Sequence, residues 1–284
     1  MCRLFGFRSV IPSQVHRSLV EADNALGRQS DAHRDGWGVA FYVDGSPHVT
    51  RSPATALNDH LFHRLSGVVS SETVVAHVRR ATVGGTGVLN CHPFQYGRWT
   101  FAHNGEIPEF HRHRESLLKE VAPRLRRFIL GDTDSEVIFF ILLTRLSAGA
   151  PLHHRQGVEE VMAATEWTVA RIREICDPGS NAAPDDRCYL TLLVTDGPTL
   201  VATHGGKELR WSTYKSRCVD RDTCPSLAPE CEAATLTGFV NHLILSSEEV
   251  AGDNIWQEMI PGEIIGVDWR MRLVRKGHVE EEAA

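Results

Sequence analysis

No run of about 18 apolar residues occurs in this 284-residue chain, so no membrane-spanning helix is expected. The N-terminus lacks a charged segment followed by an apolar core, so no secretory leader is read there and the cytoplasm is the expected compartment. A basic field is missing as well: 30 Lys and Arg against 36 Asp and Glu leave a formal net charge of −6. That balance removes nucleic acid from the expected partners. Cys-x-x-Cys pairs are absent, and the seven cysteines are an odd number, which fits reduced thiols better than a disulfide framework. His60 and His63, His111 and His113, and His153 and His154 have short spacings but no converging carboxylates or second cluster, so no metal site is expected. Internal repeats and low-complexity linkers are missing too. What remains, with 42% hydrophobic and 23% charged residues, is enough to build the core of an ordinary globular protein.

Short strand-like runs recur: "RLFGFRS", "GWGVAFYVDG", "TVVAHVRRA", "RWTFAHNG", "CYLTLLVTDG", "TLVATHGG", "HLILSSE" and "EIIGVDWRMRLVR". "TDGPT" reads as the turn of a hairpin. Helices are expected near 13 to 27, 55 to 66, 107 to 128, 134 to 148 and 156 to 176. Because strands and helices come in blocks, antiparallel sheets in an α+β fold are expected rather than regular βαβ alternation.

In "DTDSEVIFFILLTRL", Thr133 and Glu136 form a capping-box pattern, with Asp132 as the alternative cap and Asp134 in the first turn. Val137 to Leu143 are apolar all round, the mark of a helix buried between layers. Two stretches read as loops, Asp177 to Arg187 and about Gly205 to Gly238. The second holds Cys218, Cys224 and Cys231, whose spacing matches no paired zinc pattern. A frayed tail is expected over 277 to 284.

The chain begins "MCRLFGFRS". If Met1 is removed, Cys2 carries both a thiol and a free α-amine, whose ordinary pKa of about 7.7 to 8.0 suits it to accept the thiol proton. Nucleophile and base then share one residue. Such a nucleophile attacking an amide needs donors for the oxyanion and groups that hold the substrate. In "FAHNGEI" the Asn104 side chain and the Gly105 N–H can supply the donors, or the pair can be a plain Asn-Gly turn. Arg79 in "AHVRRATVGG" can bind a carboxylate in two-pronged fashion or lie on the surface. Asp134 can receive an ammonium or complement the helix dipole. An Arg and an Asp set apart suit the two charged groups of a free α-amino acid.

Met-Cys, "DGWGVAFY", "AHVRRAT", "NCHPF", "FAHNGEI" and "GDTDSE" stand in this order, and the series resembles the motifs of class II glutamine amidotransferase domains, which are N-terminal-nucleophile (Ntn) hydrolases. The resemblance is strong from Cys2 to Leu146 and continues more weakly through "LILSSE" to "IPGEIIGVD". It is closest to the standalone branch, which lacks an attached synthase domain. It implies a four-layer αββα sandwich of two mainly antiparallel sheets, and a single domain over 2 to 276 with a loop-rich insertion at about 205 to 238. It makes Cys2 the nucleophile, Asn104 and Gly105 the oxyanion hole, Arg79 the partner of the substrate carboxylate and Asp134 of its amine. Thr82 and His92 match positions lining the glutamine pocket, and Gly36, Trp37 and Gly38 match a supporting segment. No cofactor is implied.

The expected reaction is attack on the side-chain amide of glutamine or another γ-glutamyl amide, through a γ-glutamyl thioester, with release of ammonia or an amine. Alternatives are a γ-glutamyl hydrolase of one metabolite, as in ergothioneine synthesis, and a regulatory protein that keeps the fold without the reaction. An ammonia-accepting synthase subunit is a possible partner, and the sequence leaves the oligomeric state open. Arg3 stands where many relatives have Gly, and Arg80 and Val83 where Trp and His are frequent, so the acceptor side departs from the wider family.

Overall fold

The alternation in "RLFGFRS" sends its side chains to two destinations. Leu4 joins a core with Ala40, Val75, Ala102, Leu193 and Leu245, whereas Phe5 and Phe7 join another with Leu26, Val39, Phe62 and Val74. Period-two patterning of this kind describes a strand buried on both faces. The computed structural model describes residues 2–15, 17–22, 25–177 and 187–277. Its strands are β1 (Arg3–Gln14), β2 (Trp37–Val43), β3 (Ser46–Ser52), β4 (Ser70–Val78), β5 (Phe94–Tyr96), β6 (Trp99–Glu106), β7 (Tyr189–Thr195), β8 (Leu200–Thr203), β9 (Arg210–Ser212), β10 (His242–Ser246), β11 (Gln257–Glu258), β12 (Ile264–Val267) and β13 (Leu273–Lys276). The helices are α1 (Leu26–Gln29), α2 (His60–Val68), α3 (Phe110–Glu120), α4 (Pro123–Arg126), α5 (Asp134–Gly149) and α6 (Val158–Cys176).

The strands form a seven-stranded sheet, ordered β11-β9-β10-β1-β4-β2-β3, and a six-stranded sheet, ordered β13-β12-β8-β7-β6-β5. The described pairings are antiparallel. Leu4, Ala102, Leu193, Leu243 and Ile265 fill the space between the sheets. Residues of α1 and α2 cover the outer face of the first sheet, and α3, α5 and α6 cover that of the second. The result is the expected α+β sandwich of four layers, αββα.

α5 is buried on every side, with Val137 to Leu143 each at most 2% exposed. Burying those side chains contributes roughly 10 to 20 kcal/mol before the entropy of ordering them is charged. Thr133 caps the helix as its spacing predicts, its hydroxyl accepting from the Glu136 N–H at 3.2 Å. The reciprocal half of the box differs: the Glu136 carboxylate accepts from the N–H groups of Leu130 and Gly131 (2.6 Å to the latter). It thereby secures the turn that leads into the helix.

Other expectations shift. The helix expected over 13 to 27 is a strand as far as Gln14, because Ser13 and Gln14 pair with Ser71 and Ser70 beyond a bulge. Helical structure there reduces to a π-helical turn, Arg17–Glu21, and the short α1. β3 was hidden by its polar sequence "SPHVTRS"; it is an edge strand, where Pro47 costs no ladder bond. Inside the stretch expected to be loop, Arg210–Ser212 pairs with both β10 and β11. The "TDGPT" hairpin turn joins β7 to β8, with the Thr199 N–H bonded to the Asp196 carboxylate at 3.0 Å. Most of the expected loop Asp177 to Arg187 and nearly all of the expected tail lie outside the described residues.

Candidate active site

β1 lies between β4 and β10, with Arg3 opposite Val78 and Leu4 opposite His77. Leu4 points between the sheets, and two-residue alternation aims Cys2 the same way. The Arg80 N–H donates to Cys2 Sγ at 3.3 Å, and the thiol lies 3.3 Å from the Arg80 carbonyl. Burial pushes the thiol pKa up, and the Arg80 N–H opposes that only in part. At neutral pH the sulfur is therefore a protonated thiol that needs a base.

Arg79, one residue past the end of β4, is pinned by its backbone: its N–H donates to Gly36 O at 2.7 Å, and its carbonyl accepts from the Asp35 N–H at 3.1 Å. The Asp35 carboxylate accepts from the Ala81 N–H at 2.8 Å. Although only 3% exposed, the Arg79 guanidinium donates to carbonyls alone, to Val83 at 2.9 Å, Gly85 at 3.2 Å and Gly84 at 3.4 Å. Its remaining N–H donors have no carboxylate in reach among the described residues. A buried cation without a counterion is a ready site for an anion. The loop it gathers carries Thr82, which is exposed.

The Gly36 to Gly38 segment supports this corner. Trp37 is wholly buried and donates its indole N–H to Asp59 at 2.9 Å. A Cβ on Gly38 would stand 2.1 Å from the His92 carbonyl, so only glycine lets that chain pass.

Asn104 and Gly105 lie inside β6, opposite Thr191 and Leu190, which removes the reading of a plain Asn-Gly turn. Asn104 is 3% exposed. Its Nδ2 lies 3.3 Å from Ser247 Oγ, and its Oδ1 has no partner. Leu190 donates its N–H to Gly205 at 2.9 Å, away from β6. By the alternation of an antiparallel ladder, the Gly105 N–H then points away from β7. β5 pairs only with Trp99 to Phe101, so no strand of the sheet takes up that N–H. The bare Cα of Gly105 is required by the packing around it. Its closest neighbours are protein: a Cβ there would lie 1.9 Å from the Tyr189 carbonyl oxygen and 2.6 Å from His103 Nε2.

Asp134, 3% exposed, begins α5. Its Oδ2 accepts from the Ile107 N–H at 2.8 Å, and its Oδ1 from the Ser135 N–H at 2.8 Å. Ser135 Oγ sits 3.2 Å from Asp134 Oδ1 and 2.8 Å from His103 Nδ1, and His103 Nε2 reaches the Tyr189 carbonyl at 2.9 Å. The helix start, the end of β6 and the start of β7 thus hang on one chain of bonds. The charges of Arg79 and Asp134 both act on the Cys2 thiol, in opposite directions.

His92 packs against His77, with ring centroids 4.2 Å apart and the rings tilted by 39°, and meets Phe94 edge-on. Both its ring nitrogens are buried without partners. Burial lowers the pKa of His77 to about 3 and those of His92 and His103 as well, so all three are neutral at pH 7. The structure buries His92 against His77 and Phe94, 3% exposed.

A cleft of about 510 Å³ opens beside the loop, lined by Thr82, Gly84, Glu106, Ile107 and Asp132 among others. A larger one, about 970 Å³, lies by Arg98 and Arg124 and holds none of the predicted site residues. Cys2, Arg79, Asn104, Gly105 and Asp134 thus gather at one end of the sandwich, with Thr82 at its rim. Sequence reasoning gave no role to Ser247, His77, His103 or Ser135. For Ser247 the only signal was the run "SSE" after a strand. Cys218, Cys224 and Cys231 lie away from these residues, beside another cavity, and no group of three metal-ligating side chains converges among the described residues.

Residues 1–281 match the family model of class-II glutamine amidotransferases. YafJ of Escherichia coli K12 is 25% identical over 95% of this chain and 97% of its own. The gamma-glutamyl-hercynylcysteine sulfoxide hydrolase of Mycobacterium tuberculosis H37Rv is 42% identical over 119 residues, which are 38% of this chain and 50% of that protein. Among solved structures, a glutamine aminotransferase class-II domain protein from Silicibacter pomeroyi superposes with a TM-score of 0.63 at 20% identity, covering 97% of both chains. The chain is an enzyme of the hydrolase or amidotransferase type, and it belongs to the class-II glutamine amidotransferase family.

Proposed function

We propose that this protein is a cysteine amidohydrolase acting on glutamine or another γ-glutamyl amide, as one domain over residues 2 to 276, in a reducing compartment such as the cytoplasm. The observation that carries the reading is the buried Arg79 guanidinium, free of any carboxylate among the described residues, next in the chain to Arg80, whose backbone contacts the Cys2 thiol. Removal of Met1, which lies outside the described residues, exposes the α-amine of Cys2. That amine takes the thiol proton, and Sγ attacks the γ-carbonyl carbon. The oxyanion is met by the Gly105 N–H and the Asn104 amide, each donor contributing about 3 to 4 kcal/mol. Arg79 holds the substrate α-carboxylate and Asp134 its ammonium; Thr82 closes the cleft rim, and His92 shapes the pocket from behind. Collapse breaks the C–N bond, and the protonated α-amine gives its proton to the leaving nitrogen. Water then attacks the thioester with the same amine as base, releasing glutamate and the thiol.

A second reading concerns the leaving group. Similarity to a gamma-glutamyl-hercynylcysteine sulfoxide hydrolase favours a γ-glutamyl metabolite with an amine larger than ammonia, released without a synthase partner. Intact-mass analysis after treatment with 6-diazo-5-oxo-norleucine tests the nucleophile. We expect loss of Met1 and a single adduct that disappears in Cys2→Ala; retained Met1, or equal labelling of that variant, refutes it. Ammonia release from glutamine, compared with amine release from a panel of γ-glutamyl amides, decides the leaving group, and turnover of none of them refutes the γ-glutamyl assignment.

A further inference from the structure

Ser247 sits 143 residues from Asn104 in sequence, yet its Oγ lies 3.3 Å from the Asn104 amide. Ser247 is also tied to the strand that carries the nucleophile. The Leu4 N–H donates to Ser247 Oγ at 3.0 Å, and the Ser247 N–H donates to the Leu4 carbonyl at 3.0 Å. With the amide nitrogen turned toward Ser247, two N–H groups point at one oxygen. The hydroxyl proton of Ser247 then has no acceptor among the described residues, and the buried Asn104 Oδ1 has no donor.

The two ends of a carboxamide have the same shape, and only hydrogen bonding distinguishes them. Turning the Asn104 amide by half a rotation pairs both orphans at once. The Ser247 hydroxyl donates to Oδ1, still accepts from the Leu4 N–H, and the NH2 group takes the buried position where Oδ1 had no partner. We infer that Ser247 is a positioning residue that selects this orientation, presenting the Asn104 NH2 to the reacting carbonyl in register with the strand that begins beside Cys2. The inference rests on the oxyanion role proposed above for Asn104. Without the hydroxyl, the amide can turn its oxygen toward the developing oxyanion, which repels it.

The test is a set of steady-state measurements on γ-glutamyl amide hydrolysis. Ser247→Ala is expected to lower kcat about tenfold, the rate equivalent of one neutral hydrogen bond, with KM changed less than about twofold because substrate is held by other groups. Ser247→Thr, which keeps the hydroxyl, restores most of the rate, and Ser247→Cys, a weak donor, falls between. In an Asn104→Ala background, Ser247→Ala is expected to have no further effect on kcat, since the amide it orients is gone. An undiminished tenfold loss in that background would show that Ser247 merely holds β1, and would overturn the inference. So would equal rates for the Thr and Cys variants, which remain decisive if Ser247→Ala does not fold. A wild-type protein with no γ-glutamyl turnover overturns the proposed function and this inference together; a wild type that turns over and is indifferent to Ser247→Ala overturns this inference alone.

Discussion

Replacing Arg79 by alanine separates substrate recognition from the architecture around it. The guanidinium donates to the carbonyls of Val83, Gly84 and Gly85, so the variant loses a loop anchor as well as the proposed anion site. A charge-assisted hydrogen bond contributes about 1.5 to 3 kcal/mol. A two-pronged contact with the substrate carboxylate is therefore worth about 3 kcal/mol once the geometry is shared with the loop, or roughly 150-fold in kcat/KM. Because a carboxylate distant from the reacting bond is bound alike in ground and transition states, most of that loss is expected in KM. The assay is hydrolysis of glutamine beside 4-aminobutanamide, which keeps the amine and amide but has no α-carboxylate. The wild type is expected to handle the analogue poorly, and Arg79→Ala to handle it no worse. If the variant slows both substrates equally, the loop anchor explains the loss and carboxylate recognition is refuted. A loss confined to kcat refutes it too.

Gly105→Ala forces a Cβ to within 1.9 Å of the Tyr189 carbonyl oxygen and 2.6 Å of His103 Nε2, so β6 and β7 must part where His103 bonds Tyr189 at 2.9 Å. A destabilisation of roughly 2 to 4 kcal/mol in urea unfolding is expected from overpacking and the lost bond, and unchanged stability would show that the strands do not meet as described. The buried histidines make stability depend on pH. His77 has a pKa of about 3 in the fold and an ordinary one of about 6.5 when unfolded, so the unfolded chain binds the extra proton as pH falls below that value. Stability is then lost from about pH 6.5 downward, by about 1.4 kcal/mol at pH 5.5 for this residue; His92 and His103, shifted the same way, steepen it. Urea titrations at pH 7.5 and 5.5 measure the difference, and a His77→Gln variant with the wild-type slope would contradict the assignment.

Much of this protein is written in local pattern. Period-two alternation in "RLFGFRS" and "TVVAHV" determines which side chains enter the space between the sheets, and the Thr133 spacing with an unbroken apolar run determines where α5 starts and that it is buried. Such signals survive because they depend on neighbours along the chain. The order of short motifs likewise made the family legible, and it singled out Cys2, Arg79, Asn104, Gly105 and Asp134, which the fold brings to one end of the sandwich. Only the tertiary structure decided what depends on partners far away. Strand pairing kept Ser13 and Gln14 extended where helix was expected, and the ladder with β7 turned Asn104-Gly105 from a possible turn into strand. The glycine at 105 answers to the Tyr189 carbonyl, 84 residues on, and the Asn104 amide to Ser247. Nothing in the residues next to either contains that information, because the groups that set the conformation arrive only when the sheets assemble.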